Sequence, residues 1–195
     1  MRRILAAALG IGLVAGLAGC AADPLAEQYR SGDNKGYIAG DFRVVEIAPA
    51  DRTDPIAFEG STEAGDAVSN EDYAGQVVVV NFWYAACGPC RAEAPELEKA
   101  YAATAGDEVA FLGVNTVDSA ATAAAFAENY NVPYPSVIAS EDPSIKLAFA
   151  EQTPINATPT TLVLDGEGRV AARIIGQLPD ASVLTSIVDD VEAEA

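Results

Sequence analysis

The run Val77-Val78-Val79-Val80-Asn81-Phe82-Trp83-Tyr84-Ala85-Ala86-Cys87-Gly88-Pro89-Cys90-Arg91-Ala92-Glu93-Ala94-Pro95 decides how the rest of the chain is read. From Val77 to Trp83 it is β-branched or aromatic apart from Asn81. A nearly continuous apolar run of this kind is a strand buried on both faces. Past Gly88 the composition turns to Ala, Glu, Leu and Lys, which favour helix. The spacing predicts a helix that opens at Cys87 or Gly88 and runs to about Ala103, with Pro95 inside it. Cys87 and Cys90 therefore sit where a buried strand gives way to a helix.

That position gives the cysteines chemistry. Helix N-termini carry orphan N–H groups and the positive end of the dipole, and both stabilise a thiolate at Cys87. The thiolate is the attacking species in disulfide exchange. Cys90 is one turn further on and can resolve a mixed disulfide. Its sulfur is expected to be the more buried of the two, with that of Cys87 facing solvent. Pro89 suits the first turn, where its missing N–H costs little, and Gly88 lets a partner backbone approach. Cys-x-x-Cys spacing also occurs in structural disulfides and in half of a zinc site. Zinc needs further Cys or His ligands, and the chain has three Cys in all and no His. A structural bridge over so short a loop adds little stability. A redox pair is the preferred reading, with no metal site and no cofactor beyond the Cys87–Cys90 disulfide.

Downstream, Val109 to Val114 reads as a second buried strand and Ala120 to Tyr130 as a helix capped by Ser119 or Asp118. Ser136 to Ala139 reads as a short strand and Ser144 to Phe149 as a short helix. Thr160 to Leu164 and Val170 to Ile175 flank Asp165-Gly166-Glu167-Gly168, a hairpin signal. Asp180 opens a last amphipathic helix with Val183, Leu184, Ile187, Val188 and Val191 on its inner side. Upstream, Phe42 to Ile47 and Ile56 to Phe58 read as two short strands around a Pro/Asp turn.

The N-terminus reads as an address. Arg2 and Arg3 precede an apolar and small-residue stretch from Ile4 to Leu17, too short for a comfortable membrane span but suited to export. It ends in Leu17-Ala18-Gly19-Cys20, which resembles a bacterial lipobox with Cys20 as the lipidated residue. Residues 1–19 are then a lipoprotein signal peptide, 20–40 a flexible tether poor in large apolar side chains, and 41–195 the folded domain. Lipid on Cys20 leaves Cys87 and Cys90 as an even pair. The 195-residue chain carries 29 Asp and Glu against 11 Lys and Arg, a net charge of −18. That charge repels nucleic acid and anionic headgroups, which excludes both as direct partners.

The segment from Val80 to Pro95, together with Thr158-Pro159-Thr160-Thr161, resembles thioredoxin-like proteins, and within them the TlpA/ResA/DsbE branch of membrane-attached disulfide reductases. The resemblance covers about residues 40–192. It implies an α/β thioredoxin fold: a central mixed β-sheet flanked by helices, an N-terminal β-hairpin extension and a central helical insertion at about Ala120 to Phe149. It implies that Pro159 follows a cis bond, faces the Cys pair and offers the backbone of Thr158 to an extended substrate; Gly88, Pro89 and Trp83 complete the substrate-binding set. Asn81 stands where cytoplasmic thioredoxins carry a buried, proton-handling Asp. Glu93, on the Cys90 face of the helix, matches a Glu of the ResA-like branch that does this work, and so joins Cys87 and Cys90 as a catalytic residue. Read from spacing alone, Glu93 is equally a solvated first-turn carboxylate. In this family the residue before the first Cys is usually Trp, and here it is Ala86.

The resemblance implies a lipid-anchored protein-disulfide reductase on the extracytoplasmic face of a bacterial membrane. Its substrates would be disulfide-bearing envelope proteins, apocytochrome c in cytochrome c maturation among them. Its electron donor would be a membrane dithiol transporter. The reverse reaction, an oxidant of exported proteins, uses the same dithiol; Gly88-Pro89, the dipeptide of reducing thioredoxins, favours the reductase. A peroxiredoxin-type site would need a Pro-x-x-x-Thr-x-x-Cys signature, which Cys87 lacks. A non-catalytic binding lipoprotein is the remaining alternative, separable by an insulin-reduction assay.

Overall fold

The computed structural model describes residues 42–150 and 157–194. The expected signal peptide, the tether and Cys20 lie outside the described residues. Strands β1 (Arg43–Glu46), β4 (Val77–Trp83), β5 (Val109–Asn115), β6 (Ser136–Ile138), β7 (Thr160–Leu164) and β8 (Val170–Ile175) form one sheet in the order β1-β8-β7-β4-β5-β6. β4, β5 and β6 run parallel; β7, β8 and β1 add antiparallel ladders on the other side of β4. The sheet is mixed, as expected, and β4 is central and buried throughout.

The faces of β4 are divided by the alternation of its side chains. Val77 and Val79 join Leu97 and Ala100 of helix α1 (Gly88–Thr104) and Leu184, Ile187, Val188 and Val191 of the C-terminal helix (Ala181–Glu192). Val78, Val80 and Phe82 point the other way, into a cluster with Ile56, Phe58, Ile145 and Phe149. Between these elements come α2 (Ala120–Tyr130) and α3 (Ser144–Phe149), which makes the C-terminal helix α4. Ser119 caps α2 by accepting from Thr122 N, and Asp180 caps α4 by accepting from Ser182 N. Helix α1 is continuous through Pro95.

The hairpin before β4 is present but is built from other residues than expected. It consists of β2 (Glu59–Ser61) and β3 (Ala67–Ser69), turning at Gly65 with φ +89°. β1 instead pairs with β8 at the sheet edge, Arg43 opposite Ile175 and Glu46 opposite Ala172. Ile56-Ala57-Phe58 is not a strand. Ile56 N donates to Gly168 O, and Phe58 bonds one residue only, its N donating to Asn70 Oδ1 and its O accepting from Asn70 N, while both large side chains fill the core. Three apolar residues specify burial without specifying a ladder partner.

Candidate active site

At the C-terminal end of β4 the chain leaves the sheet through Tyr84-Ala85-Ala86 and enters α1. Cys87 is the N-cap residue, and its Sγ accepts from Cys90 N at 3.2 Å. The two sulfurs are joined in a disulfide with the Cα atoms 5.3 Å apart. The N-cap bond satisfies one of the orphan donors of α1 and fixes Cys87 Sγ at the positive end of the helix. Pro89 lies in the first turn of the helix.

The expected contrast in exposure between the cysteines is absent. Cys87 is 0 % exposed and Cys90 2 %. Both belong to a cluster with Trp83, Ala94, Ala123, Phe126 and Ile138. Helix α2 and β6, distant in sequence, contribute to this cluster, which local spacing does not reveal. What distinguishes Cys87 is its cap position. Trp83, expected among the substrate contacts, is buried beside the disulfide at 4 % exposure. Its ring centroid is 4.3 Å from that of Phe126, and its Nε1 donates to Ser136 Oγ at 3.1 Å. That bond passes over Gly113. A Cβ on residue 113 would collide with Ser136 Oγ and lie 2.9 Å from Trp83 Nε1.

Asn81 and Glu93, three residues beyond Cys90 on α1, are bonded to one another. Asn81 shares the face of β4 that packs on α1, and its Nδ2 donates to Glu93 Oε1 at 2.9 Å and to Thr161 Oγ1 at 3.1 Å. Glu93 Oε2 accepts from Leu178 N at 2.8 Å. The carboxyl is 1 % exposed and belongs to the same helix as Cys90. Its pKa is pushed up to about 7, because burial opposes the charge more strongly than the hydrogen bonds from Leu178 and Asn81 support it. The solvated reading of Glu93 is thus overturned. Burial raises the nearby Tyr134 hydroxyl as well, with help from the Glu93 charge.

Thr158-Pro159 is a cis peptide bond, as the resemblance implied. Pro159 O accepts from Gly176 N at 3.0 Å, and Thr160 Oγ1 donates to Ala157 O at 3.1 Å. Thr158 is half-buried, Pro89 is half-buried and Gly88 is exposed.

The loop from β5 to α2 also belongs to the site, and sequence reasoning saw in it only a helix cap. Thr116 N donates to Trp83 O at 3.0 Å, and Asp118 Oδ2 accepts from Ala85 N at 2.6 Å. Arg91 Nε donates to Ala85 O at 2.7 Å. The peptide two residues before Cys87 is held by a carboxylate on one side and a guanidinium on the other. The available signal was Asn115-x-x-Asp118, a pair of residues that bond backbone locally.

A buried carboxyl with a pKa near neutrality, on the helix whose N-terminus carries the disulfide, is equipped to move protons during thiol–disulfide exchange. Comparison with known proteins agrees with this chemistry. The chain is 32% identical over 146 residues to the thiol:disulfide interchange protein HelX of Rhodobacter capsulatus, covering 75% of each. It is 31% identical over 107 residues to the thiol-disulfide oxidoreductase ResA of Geobacillus thermodenitrificans, covering 55% of this chain and 59% of that one. Among solved structures, a secreted thiol-disulfide isomerase from Corynebacterium glutamicum superimposes with a TM-score of 0.66 at 27% identity. That match covers 75% of this chain and 92% of the other. The Redoxin family model matches residues 44–190, and the chain belongs to that family as a thiol–disulfide oxidoreductase with a thioredoxin fold.

Proposed function

We propose that the protein reduces disulfides in envelope proteins from the extracytoplasmic side of a bacterial membrane, held there by lipid on Cys20. The observation that carries the reading is the Cys87–Cys90 disulfide at the N-terminus of α1, with Cys87 as the N-cap residue; the buried Glu93 carboxyl on the same helix supplies a proton acceptor. In the reduced enzyme the Cys87 thiolate attacks a substrate sulfur, and the substrate S–S bond breaks to give a mixed disulfide and one substrate thiolate. Cys90 passes its proton to Glu93 and attacks Cys87 Sγ. The mixed disulfide breaks, the Cys87–Cys90 bond forms, and the second substrate thiolate leaves. Two electrons have passed to the substrate, whose thiolates take up two protons, one of them from Glu93.

The Leu17-Ala18-Gly19-Cys20 run supports the anchor, and the similar secreted isomerase supports an extracytoplasmic setting. Apocytochrome c is the substrate we favour, through the resemblance to the ResA and DsbE branch. A membrane dithiol transporter would restore the reduced pair, since no cytoplasmic reductant pool reaches that face.

The reduction potential of the Cys87–Cys90 couple, measured against glutathione, tests the direction. A value near about −270 mV or lower is expected; one near about −120 mV makes the protein an oxidant instead.

A further inference from the structure

We propose that Val117 determines specificity: it reads an apolar side chain beside the reacting cysteine of the substrate. This rests on the reading that the enzyme exchanges disulfides with proteins, and adds to it the chemistry of the sequence around the target disulfide.

Among the described residues, the large hydrophobic side chains that are well exposed are Phe42, Val117 and Leu147, and Val117 is 62 % exposed. An isolated apolar side chain on a surface needs no explanation by itself. Val117 differs in where it is fastened. Thr116, before it, donates to Trp83 O through both N and Oγ1, at 3.0 and 3.3 Å. Asp118, after it, accepts from Ala85 N at 2.6 Å. Both neighbours of Val117 are thus bonded to the segment that leads into Cys87.

The loop is rigid on its own account. Asn115 is fully buried, and its Oδ1 accepts from Val117 N at 3.2 Å and from Asp118 N at 2.7 Å. Asn115 Nδ2 donates to Asp118 Oδ2 at 2.9 Å. Ser140 Oγ donates to Asp118 O at 2.7 Å. A β-branched side chain with few rotamers, on a loop already fixed, loses little freedom when a partner covers it.

The occupant follows from the reaction. A substrate sulfur must come within bonding distance of Cys87 Sγ, so the chain on either side of it must pass over this end of the sheet. Ala86 and Gly88, which flank Cys87, are both exposed and small. They leave room for that chain without offering it an apolar wall. An extended peptide advances about 3.3 Å per residue, so residues within a few positions of its cysteine reach the loop. There they meet a valine braced by Thr116 and Asp118. The best-matched substrate carries Leu, Val, Ile or an aromatic residue next to the cysteine, and a polar flank forgoes the contact.

The test uses the purified reduced protein with three disulfides: bis(2-hydroxyethyl) disulfide, a short cystine peptide with Leu flanking each Cys, and the same peptide with Ser there. Trp83, the only tryptophan, lies beside the disulfide and reports oxidation by its fluorescence. Wild type is expected to prefer the Leu peptide. Val117→Ser and Val117→Asp should lower the Leu-peptide rate by about five- to tenfold, less than full burial of a valine is worth because the partner covers it only in part. The other two rates should stay within about twofold, and Val117→Leu should retain the preference. An equal fall with all three disulfides, or no fall with the Leu peptide, overturns the assignment. If wild type reduces the small disulfide and neither peptide, the protein-disulfide reading itself fails, which is a different result from a lost preference.

Discussion

Leu178 N–H donates to Glu93 Oε2 at 2.8 Å across a sequence separation of 85 residues. The segment that leads into the C-terminal helix thus holds the acid that shares a helix with Cys90. With Asn81 on the other oxygen, both carboxyl oxygens are occupied and the group is held almost wholly buried.

The raised pKa of Glu93 has a consequence for stability. Below pH about 4.5, folded and unfolded chains both carry the proton. From about 4.5 to about 7 the unfolded chain releases it while the folded chain keeps it, so stability falls as pH rises; above about 7 both are ionised and the fall ends. Over that window Glu93 removes about 3 kcal/mol. Asp165, whose pKa is lowered, has the opposite sign, and its stabilisation is lost only as pH falls below the ordinary Asp range. Denaturant titrations of wild type and Glu93→Gln at pH 5 and pH 8 should therefore diverge. Wild type should lose stability relative to the variant at the higher pH, and parallel curves would mean that Glu93 ionises as a surface group does.

Glu93→Gln should also slow exchange. The variant cannot take the Cys90 proton, so the resolving step should drop about 10²-fold or more, with a pH–rate profile that loses its inflection near 7. Stopped-flow rates from pH 5 to 9 measure this, and a retained inflection would place the titrating group elsewhere.

Cys90→Ser should accumulate mixed disulfides through Cys87, because nothing then displaces the partner. Cys87→Ser should accumulate few or none, since its remaining sulfur lacks the cap position at the helix N-terminus. Non-reducing gels of membranes from both variants, followed by identification of the trapped proteins, decide the roles. Adducts on Cys87→Ser alone would reverse them, and apocytochrome c among the Cys90→Ser adducts would name a substrate.

Gly113→Ala should be costly for so small a change. Its methyl group collides with Ser136 Oγ and crowds Trp83 Nε1, which breaks a buried hydrogen bond and overpacks the strand. A loss of about 2–4 kcal/mol is expected, with a shift in Trp83 emission. Ser136→Ala removes the same bond without the overpacking and should cost about 1–3 kcal/mol. Equal midpoints for the two variants would show that crowding adds nothing.

Cys20→Ala should release the protein from membranes. Growth with a labelled fatty acid, followed by fractionation, should give a labelled membrane-bound wild type and an unlabelled variant. Unlabelled soluble protein in both cases would remove the anchor.

Strands β4, β7 and β8 and helices α2 and α3 were legible to the residue, because each is bounded by turn residues and carries one uninterrupted period. The N-terminal segment was not. Ile56 and Phe58 show strand-like alternation, yet their ladder partners would have had to be chosen among loops far away. The Cys pair, Pro159 and Glu93 could be named from spacing and resemblance. Their burial could not, since the cluster that holds the two cysteines draws on Ala123, Phe126 and Ile138, far along the chain. The loop from Asn115 to Asp118 stayed hidden because its meaning lies in bonds to Trp83 and Ala85, more than thirty positions upstream.

Asn81 touches Glu93 and Thr161 through one nitrogen. An amide turned over about its last bond presents an oxygen where it had presented N–H, and a threonine hydroxyl donates as readily as it accepts. The trio can therefore serve a carboxylate in one setting and a carboxylic acid in the other while every backbone atom stays in place. A proton held there leaves the acid neutral, whereas releasing it leaves a buried charge that the bonds from Leu178 and Asn81 only partly support. The swivel of one side-chain amide softens that cost without moving the backbone.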